Sequence, residues 1–430
     1  MRKLVVLFLA SILILIGCSS GSTDENNENK ESAGGNNKIT IWAWDPNYNI
    51  AALDIAQEVY KTVDADLKIE VIENAQDDIV QKLNTALSSG TTKGLPNIAL
   101  IEDYRAQGFL QAFPDAFYEI SDVFDKRDFA DYKIAPTSYD GKNYGLPFDT
   151  GVTGLYVRTD YLAEAGYSID DMQDIDWWEY IEIGKKVKEA TGKDFITIDP
   201  NDLGIVRIMI QSTGTWYTAD DGITPNLAGN EGLKEALELY KAMLDANIVK
   251  PNSDWSQFLS AFNSGEVVTV PTGNWITPSV KAEESQSGDW AVVPIPKLTT
   301  AGATHASNLG GSSWYVFDLP GAEQAADFLA KTFGSDVDFY QDLITEVGAI
   351  GTFTPAADGE AYATEEEFFQ GQQIYADFAK WMEDVPSINY GLHTYAIDDI
   401  ITVEVQNYLN GKDLDDVLND AQKQAESQLK

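Results

Sequence analysis

The sequence predicts an α/β fold divided between two domains. Segments with strand and helix patterns alternate from residue 38 onward, and such alternation is typical of a parallel sheet covered by helices. About 390 residues follow the N-terminal segments discussed below, which is more than one hydrophobic core usually serves. The hydrophobic content of 44% is ordinary for a globular protein.

The first alternation covers residues 38–101. Residues 38–44 (KITIWAW) alternate β-branched and aromatic side chains, which is a strand pattern. Residues 50–60 carry apolar side chains at helical spacing. Strand, helix and strand patterns then follow at 67–72, 77–88 and 97–101. This order predicts one parallel sheet with helices on its faces.

A second alternation begins after residues 142–157. Four residues interrupt that strand-like run, namely Gly145, Pro147, Gly151 and Gly154, and we interpret it as a crossover into the second domain. Helix patterns follow at 177–191, 203–212, 233–246 and 256–264, and strand patterns at 195–198, 267–271 and 312–317. A run of helices is predicted from about residue 365 to residue 429.

The N-terminus has the composition of a secretory signal. Arg2 and Lys3 precede an apolar run, Leu4–Ile16, which is shorter than the roughly 20 residues of a membrane-spanning helix. Residues 15–18, LIGC, match the sequence that bacterial lipoprotein signal peptidase cuts before cysteine. We therefore expect residues 1–17 to be a signal peptide and the mature chain to begin at a lipidated Cys18 outside the cell membrane.

Residues 18–37 are expected to form a disordered tether. They are rich in Ser, Gly, Asn and Glu and almost free of apolar side chains, so they cannot bury enough surface to order themselves. Cys18 is the only cysteine, which excludes a disulfide framework, a thiolate metal site and a cysteine nucleophile. With only His305 and His393 as histidines, the sequence predicts neither a metal centre nor a cofactor.

The chain is strongly acidic. It has 29 basic and 69 acidic residues, a net charge of −40, and loss of Arg2 and Lys3 with the signal makes the charge −42. Nucleic acid and anionic membrane surfaces would repel such a protein, so the lipid is its only expected membrane contact. We interpret the acidity as a solvated surface. The 10 Trp and 20 Tyr exceed what core packing usually requires.

Polar and aromatic residues follow two of the predicted strands. Ligands of parallel sheets bind beyond the carboxyl ends of the strands. The first strand ends in Trp42, Trp44 and Asp45, and the third is followed by Glu102, Asp103 and Tyr104. We expect these two groups to line a shared cleft.

Six motifs in order resemble the extracellular solute-binding proteins of carbohydrate ABC importers, the group that includes maltose-binding protein. The motifs are ITIWAWDPNYN, LPNIALIEDYRAQGFL, GKNYGLPFDTGVTGLYVRTDYL, AFNSGEVVTVPTGNW, ASNLGGSSWYVF and NGKDLDDVLNDAQKQ. Pro46 stands where the maltodextrin binder has a lysine, so one charged sugar contact is missing. The first loop, WAWDPNYN, instead resembles that of binders for lactose or arabinose oligomers.

The resemblance implies a type II periplasmic-binding-protein fold of two discontinuous α/β lobes, joined by a hinge with the ligand cleft between them. The N-terminal lobe would comprise residues 38–149 and 305–354, and the C-terminal lobe residues 150–304 and 355–430. The protein would capture a mono- or short oligosaccharide by hinge closure and deliver it, unaltered, to the transmembrane subunits of an ABC permease.

Sugars are held by aromatic rings against their apolar faces and by polar side chains at their hydroxyls. In the N-terminal lobe, Trp44 is a candidate platform, although Trp42 or Trp44 could be core. Asp45 is a candidate acceptor. Asp103 is preferred to Glu102, one of which could cap a helix. Asp149 lies near a position where the family has a hydroxyl-binding carboxylate, with a turn role as the alternative.

The remaining candidates follow the crossover. Gln211 and Trp216 lie near a turn, and Trp275 matches a position where the family often has a stacking Trp, with Asn274 beside it. The return strand would bring Gly310 and Ser312 close to the ligand. Trp314 could equally stack on the ligand or pack in the core, and Tyr390 could line the rim.

Two other classes remain open. A secreted glycoside hydrolase or polysaccharide lyase would also combine Trp with carboxylates, but the chain has no G-x-S-x-G, H-E-x-x-H, phosphate-loop or dinucleotide motif, so no enzyme is predicted. A binder of a polyamine or peptide would suit the acidity. The aromatic content favours a neutral polyol instead.

Overall fold

The computed structural model describes residues 37–429. The predicted signal peptide, the predicted lipidation site Cys18 and all of the predicted tether except Asn37 lie outside the described residues. Within residues 37–429, no helix combines the length and the hydropathy that crossing a bilayer requires.

Strands and helices alternate along the described chain. The strands are β1 (Lys38–Ala43), β2 (Lys68–Glu73), β3 (Ile98–Glu102), β4 (Ser138–Tyr139), β5 (Lys142–Asn143), β6 (Gly145–Pro147), β7 (Thr153–Arg158), β8 (Ile196–Ile198), β9 (Val249–Pro251), β10 (Thr269–Gly273), β11 (Trp290–Val293) and β12 (Ser312–Val316). The helices are α1 (Asn49–Tyr60), α2 (Gln76–Ser88), α3 (Asp103–Ala112), α4 (Ile134–Thr137), α5 (Thr159–Glu164), α6 (Trp177–Thr191), α7 (Gly204–Gln211), α8 (Glu231–Asp245), α9 (Trp255–Asn263), α10 (Thr277–Lys281), α11 (Ala322–Lys331), α12 (Val337–Asp342), α13 (Ile374–Met382), α14 (Thr394–Leu409) and α15 (Leu414–Gln428).

The larger sheet has the strand order β2-β1-β3-β12-β6. β1 pairs in parallel with both β2 and β3, which confirms the parallel pairing predicted from the first alternation. β12 is antiparallel to both β3 and β6. Every residue of β12 is buried, because the strand lies between β3 and β6 inside the sheet. The other four strands precede it by more than 160 residues.

A second sheet, of order β10-β7-β11, is antiparallel throughout. A separate parallel pair joins β8 and β9. The larger sheet draws its strands from residues 38–147 and 312–316, and the second sheet draws its strands from residues 153–293. The bounds of the two lobes, including the place of the C-terminal helices, remain a prediction.

The chain passes between the two sheets along paired extended segments. Val152 bridges Asn308, and the Thr153 N–H donates to the Ser307 carbonyl at 2.9 Å. Gly151 lies so close to the returning segment that a Cβ there would be 2.1 Å from the Leu309 carbonyl oxygen. Only glycine allows this approach.

Helix starts follow the local sequence. The Asp176 side chain accepts hydrogen bonds from the Trp178 and Glu179 N–H groups, and the Glu179 carboxylate accepts the Asp176 N–H in return, which is a capping box. The helix that begins there ends at Thr191, as the sequence predicted. Its buried side chains face the second sheet's core, and Tyr180 bonds Thr269 of β10 at 2.5 Å.

Candidate functional site

A cavity of about 310 Å³ opens beside β8, α7, α9 and β10. Apolar and polar side chains both line it. The lining residues are Ile196, Thr197, Ile198, Asp199, Asp202, Gly204, Ile205, Ile208, Asn252, Asp254, Trp255, Phe258, Val270, Pro271, Thr272, Trp275 and Leu309. All of them except Leu309 lie between residues 196 and 275, and Leu309 comes from the returning segment before β12.

One wall of the cavity is aromatic. Asp254 caps α9 by accepting the Gln257 N–H at 2.9 Å, which places Trp255 in the first turn with 53% of its surface exposed. The Trp255 ring stacks on Phe258 with centroids 5.4 Å apart and lies 5.9 Å from the Trp275 ring. This wall suits the apolar face of a ligand ring.

The polar edge of the cavity includes two carboxylates beyond the end of β8. The Asp199 carboxylate accepts the Asn201 N–H at 2.8 Å. One oxygen of Asp202 accepts the Gly204 N–H at 2.9 Å and an Arg207 N–H at 2.7 Å, while 61% of the Asp202 side chain stays exposed. These acceptors can bind ligand hydroxyl or amino groups next to the aromatic wall.

Of the residues predicted from sequence, Trp275 lines this cavity. Its indole N–H donates to the Leu309 carbonyl at 2.9 Å, which fixes the ring against the returning segment. Asn274 is buried, and among the described groups its Oδ1 has no hydrogen-bond partner. Gly310 follows Leu309, and its N–H donates to the Tyr104 hydroxyl at 3.2 Å.

Gln211, Trp216 and Tyr390 are brought together, but in a packed cluster. The Tyr390 ring lies 5.0 Å from Trp216 and 4.7 Å from Tyr104. The Gln211 amide donates to the Tyr390 hydroxyl at 3.0 Å. All four side chains are at most 2% exposed, so in this conformation they present little surface to a ligand.

Asp103, Asp149 and Ser312 form a second buried cluster, around Lys133. The Lys133 ammonium pairs with the Asp103 carboxylate and donates to the Ser312 carbonyl at 2.9 Å. The Asp149 carboxylate accepts the Ser312 N–H at 2.6 Å and the Ser312 hydroxyl at 2.7 Å. Gly311 lies against the ion pair, since a Cβ added at this position would be 3.1 Å from Asp103 Oδ2. Its φ of +88° is also in the region that favours glycine.

The electrostatics of this cluster follow from its burial. Burial raises the pKa of the Asp103 carboxyl, and Lys133 and the Ser313 hydroxyl partly offset that rise. Burial likewise raises the pKa of the Asp149 carboxyl, with Lys133 and Ser312 opposing it. Both carboxylates are occupied by internal partners, and the ligand role expected for Asp103 would require displacement of Lys133.

Trp44 and Asp45 directly follow β1 and do not line the cavity beside Trp275. Both side chains are half-buried, and both N–H groups donate to Asn49 Oδ1 at 3.1 Å. Asp45 also accepts the Asn47 N–H at 2.8 Å, which is a turn geometry. Of the two groups expected to line a shared cleft, only Trp44 and Glu102 line the same small cleft.

Trp314 lies in the core. None of its surface is exposed, and its ring packs between Phe148 and Phe333 with centroids 5.3 Å away on each side. It occupies the middle of β12 in the centre of the larger sheet. Of the two roles that the sequence left open for Trp314, the structure therefore shows the core role. Neither face of its ring is free to stack on a ligand in this structure.

Sequence reasoning missed Asp199, Asp202 and Trp255. The two carboxylates follow β8 in DPND, so the same rule that singled out the ends of the first and third strands would have found them. Trp255 carried no such signal, because an aromatic residue in an amphipathic helix usually faces the core. Within residues 37–429, no group of His, Cys, Asp and Glu side chains is arranged to hold a metal ion.

Residues 55–370 match the family model for bacterial extracellular solute-binding protein. The chain is 44% identical over 393 residues to a lactose-binding protein of Rhizobium radiobacter, covering 91% of this chain and 93% of that protein. It is 24% identical over 345 residues to an arabinooligosaccharide-binding protein of Bacillus subtilis, covering 78% and 77%. The fold is similar to that of the sugar-binding protein MalE from Xanthomonas citri, with a TM-score of 0.75 and 19% identity over 91% of this chain and 96% of that one.

These similarities confirm the resemblance predicted from the six motifs and the type II periplasmic-binding-protein class of the fold. The relatives named are binding proteins, not enzymes. The family match covers most of the chain and includes strands of both sheets. The chain therefore belongs to the bacterial extracellular solute-binding proteins.

Proposed function

We propose that this protein is the lipid-anchored, extracellular sugar-binding component of an ABC importer, which captures a mono- or short oligosaccharide by hinge closure and delivers it to the permease without altering it. The observation that carries the proposal is the aromatic wall of Trp255 and Trp275 beside the carboxylates Asp199 and Asp202. The names of the relatives, a lactose-binding and an arabinooligosaccharide-binding protein, support the same ligand class.

The wall and the carboxylates match the two surfaces of a saccharide. The C–H face of a sugar ring is apolar and packs on an indole, while its hydroxyls donate to carboxylates. Each buried polar group that a wrong sugar leaves unpaired costs about 1–3 kcal/mol, which makes the hydroxyl pattern selective.

The size of the cavity supports a short ligand. Its volume of about 310 Å³ lies at the lower end of the range for small-molecule sites, about 300–1,000 Å³. A mono- or disaccharide suits such a space better than a long oligomer. The open mouth of the cavity would be covered by the N-terminal lobe on closure about the paired segments at Val152 and Asn308.

Titration calorimetry of the purified mature chain tests the ligand class. We expect saturable binding of lactose or of arabinobiose and no release of reducing sugar from either. At a ligand concentration 100 times Kd, binding should also stabilise the fold by about 2.7 kcal/mol. Spermidine and a tripeptide are the comparison ligands. Binding of these alone, or conversion of a saccharide into products, would contradict the proposal.

Membrane fractionation tests the anchor separately. The wild-type chain should sediment with membranes and be accessible to added protease, because the lipid on Cys18 inserts while the acidic body stays outside. Cys18→Ser should move the protein to the soluble fraction without changing its sugar affinity. Equal fractionation of the two would mean that Cys18 is not the anchor.

A further inference from the structure

Tyr104 stands between two cavities. The sugar cavity described above ends at Leu309 and at α7. A groove of about 340 Å³, here called the outer groove, opens between α3 and the start of α14. The Tyr104 side chain lines the outer groove, and its hydroxyl bonds to the two residues that flank Leu309.

The phenol of Tyr104 is fixed to the residues on either side of Leu309. Its hydroxyl donates to the Asn308 carbonyl at 3.3 Å and accepts the Gly310 N–H at 3.2 Å. Since Leu309 lines the sugar cavity, the hydroxyl holds the cavity's end wall from behind.

Arg207 completes the same wall. Its guanidinium lies 5.8 Å from the centroid of the Tyr104 ring and donates to Asp202 at the cavity edge at 2.7 Å. It also pairs with the buried Asp398 carboxylate. The wall is therefore built from charge and hydrogen bonds as well as from ring packing.

The remaining faces of the Tyr104 ring are packed. Its centroid lies 5.4 Å from Trp216 and 4.7 Å from Tyr390, and the residue is 2% exposed. With one edge on the outer groove and the rest of the ring packed, Tyr104 is a rigid partition, since moving it would break packing contacts and two hydrogen bonds together.

The outer groove has the chemistry of a further sugar subsite. It is lined by the aromatic rings of Tyr395 and Phe113 and by the polar side chains of Asn84 and Arg105. The Arg105 guanidinium lies 4.2 Å from the centroid of the Tyr395 ring. A saccharide unit could pack on these rings and bond to these donors if the partition did not separate it from the sugar cavity.

We propose that Tyr104 sets the length of the saccharide that the protein accepts, by ending the sugar cavity and closing it off from the outer groove. This inference rests on the proposed function. It assigns to one side chain the preference for a short ligand, and it requires that a smaller side chain at position 104 join the two spaces.

The test compares a disaccharide with its one-unit extension in calorimetry. The probes are lactose with galactosyllactose, and arabinobiose with arabinotriose. For the wild-type chain we expect the shorter sugar of one pair to bind more tightly. Tyr104→Ala should raise the affinity for the longer sugar relative to the shorter by about tenfold or more, because one added ring–sugar contact is worth at least about 1.4 kcal/mol. Tyr104→Phe keeps the ring and should keep the wild-type ratio.

Circular dichroism checks that each variant folds. If Tyr104→Ala does not fold, Tyr104→Leu replaces it, because leucine also lacks the phenol but keeps some apolar volume. An unchanged ratio in a folded small variant overturns the inference while the proposed function stands. A changed ratio in Tyr104→Phe also overturns it, because the ring would not be the determinant. If the wild-type chain binds none of the four sugars, the proposed function fails, and this inference fails with it.

Discussion

Substitution of Lys133 should strongly destabilise this protein. Its side chain has no exposed surface and its partner Asp103 is 1% exposed. The ammonium also donates to the Ser312 carbonyl at 2.9 Å, beside the buried carboxylate of Asp149. Lys133→Met removes the only cation of this cluster among the described residues and leaves two buried carboxylates.

The expected loss is large because the uncompensated charge cannot reach water. Removing one partner of a buried ion pair typically destabilises a protein by about 3–5 kcal/mol. With a urea m-value of about 3 kcal/mol per M, the unfolding midpoint should fall by about 1–1.7 M. The double variant Lys133→Met with Asp103→Asn should recover much of this loss, because the amide carries no charge.

The loss should depend on pH in a defined direction. Burial raises the folded-state pKa of Asp103, and Lys133 opposes that rise. Without Lys133 the folded-state pKa of Asp103 moves further above its unfolded value of about 3.9. The folded variant then binds a proton more readily than the unfolded chain, so its stability falls as pH rises through this window. The gap to wild type should be wider at about pH 7.5 than at about pH 5.

Urea unfolding followed by Trp fluorescence measures both effects. Lys142→Met is the matched control, because it removes an exposed lysine whose bond to Glu119 is 2.7 Å long and whose loss should leave the midpoint nearly unchanged. A midpoint for Lys133→Met as high as that of Lys142→Met would refute the reasoning. A gap to wild type that widened toward low pH would refute the assignment to buried carboxylates.

Two further predictions concern binding. Trp275→Ala should weaken saccharide binding in calorimetry by about 10- to 100-fold, through loss of ring stacking and apolar contact. Trp178→Ala, on the exposed side of α6, is its control, and equal effects of the two would place the ligand elsewhere. Tyr395→Phe removes the hydroxyl that donates to the Glu102 carboxylate, whose two oxygens lie 2.7 and 2.8 Å from it, and so breaks a contact that joins α14 to the end of β3. We expect a less compact sugar-bound form in small-angle scattering and about tenfold weaker binding, whereas an unaltered profile would show that this contact does not stabilise the proposed closed form.

Local patterns in the sequence were enough for most of the secondary structure. The helix from Trp177 to Thr191 was predicted to the residue, because a capping Asp and a Gly stand at its two ends. The strands at the start of the chain and their parallel pairing also followed from periodicity. The family followed from six motifs in order, each of which covers one local strand, loop or helix segment.

The roles of individual site residues did not follow in the same way. Asp103 looked like a ligand residue because it follows β3, yet it pairs with Lys133, thirty residues later. Trp314 and Trp275 both lie at or next to strands, but one is in the core and the other lines the cavity. Periodicity shows which face of an element a side chain occupies, and it does not show what covers that face.

The sequence by itself determined the order of strands and helices, the family and the acidic character of the protein, since all of these depend on residues close together in the chain or on composition alone. Only the tertiary structure decided which carboxylates are paired, which rings are buried and where the cavity lies. Those outcomes depend on contacts between residues far apart in the chain, such as Asp103 with Lys133 and Tyr104 with Trp216, and no local pattern encodes them.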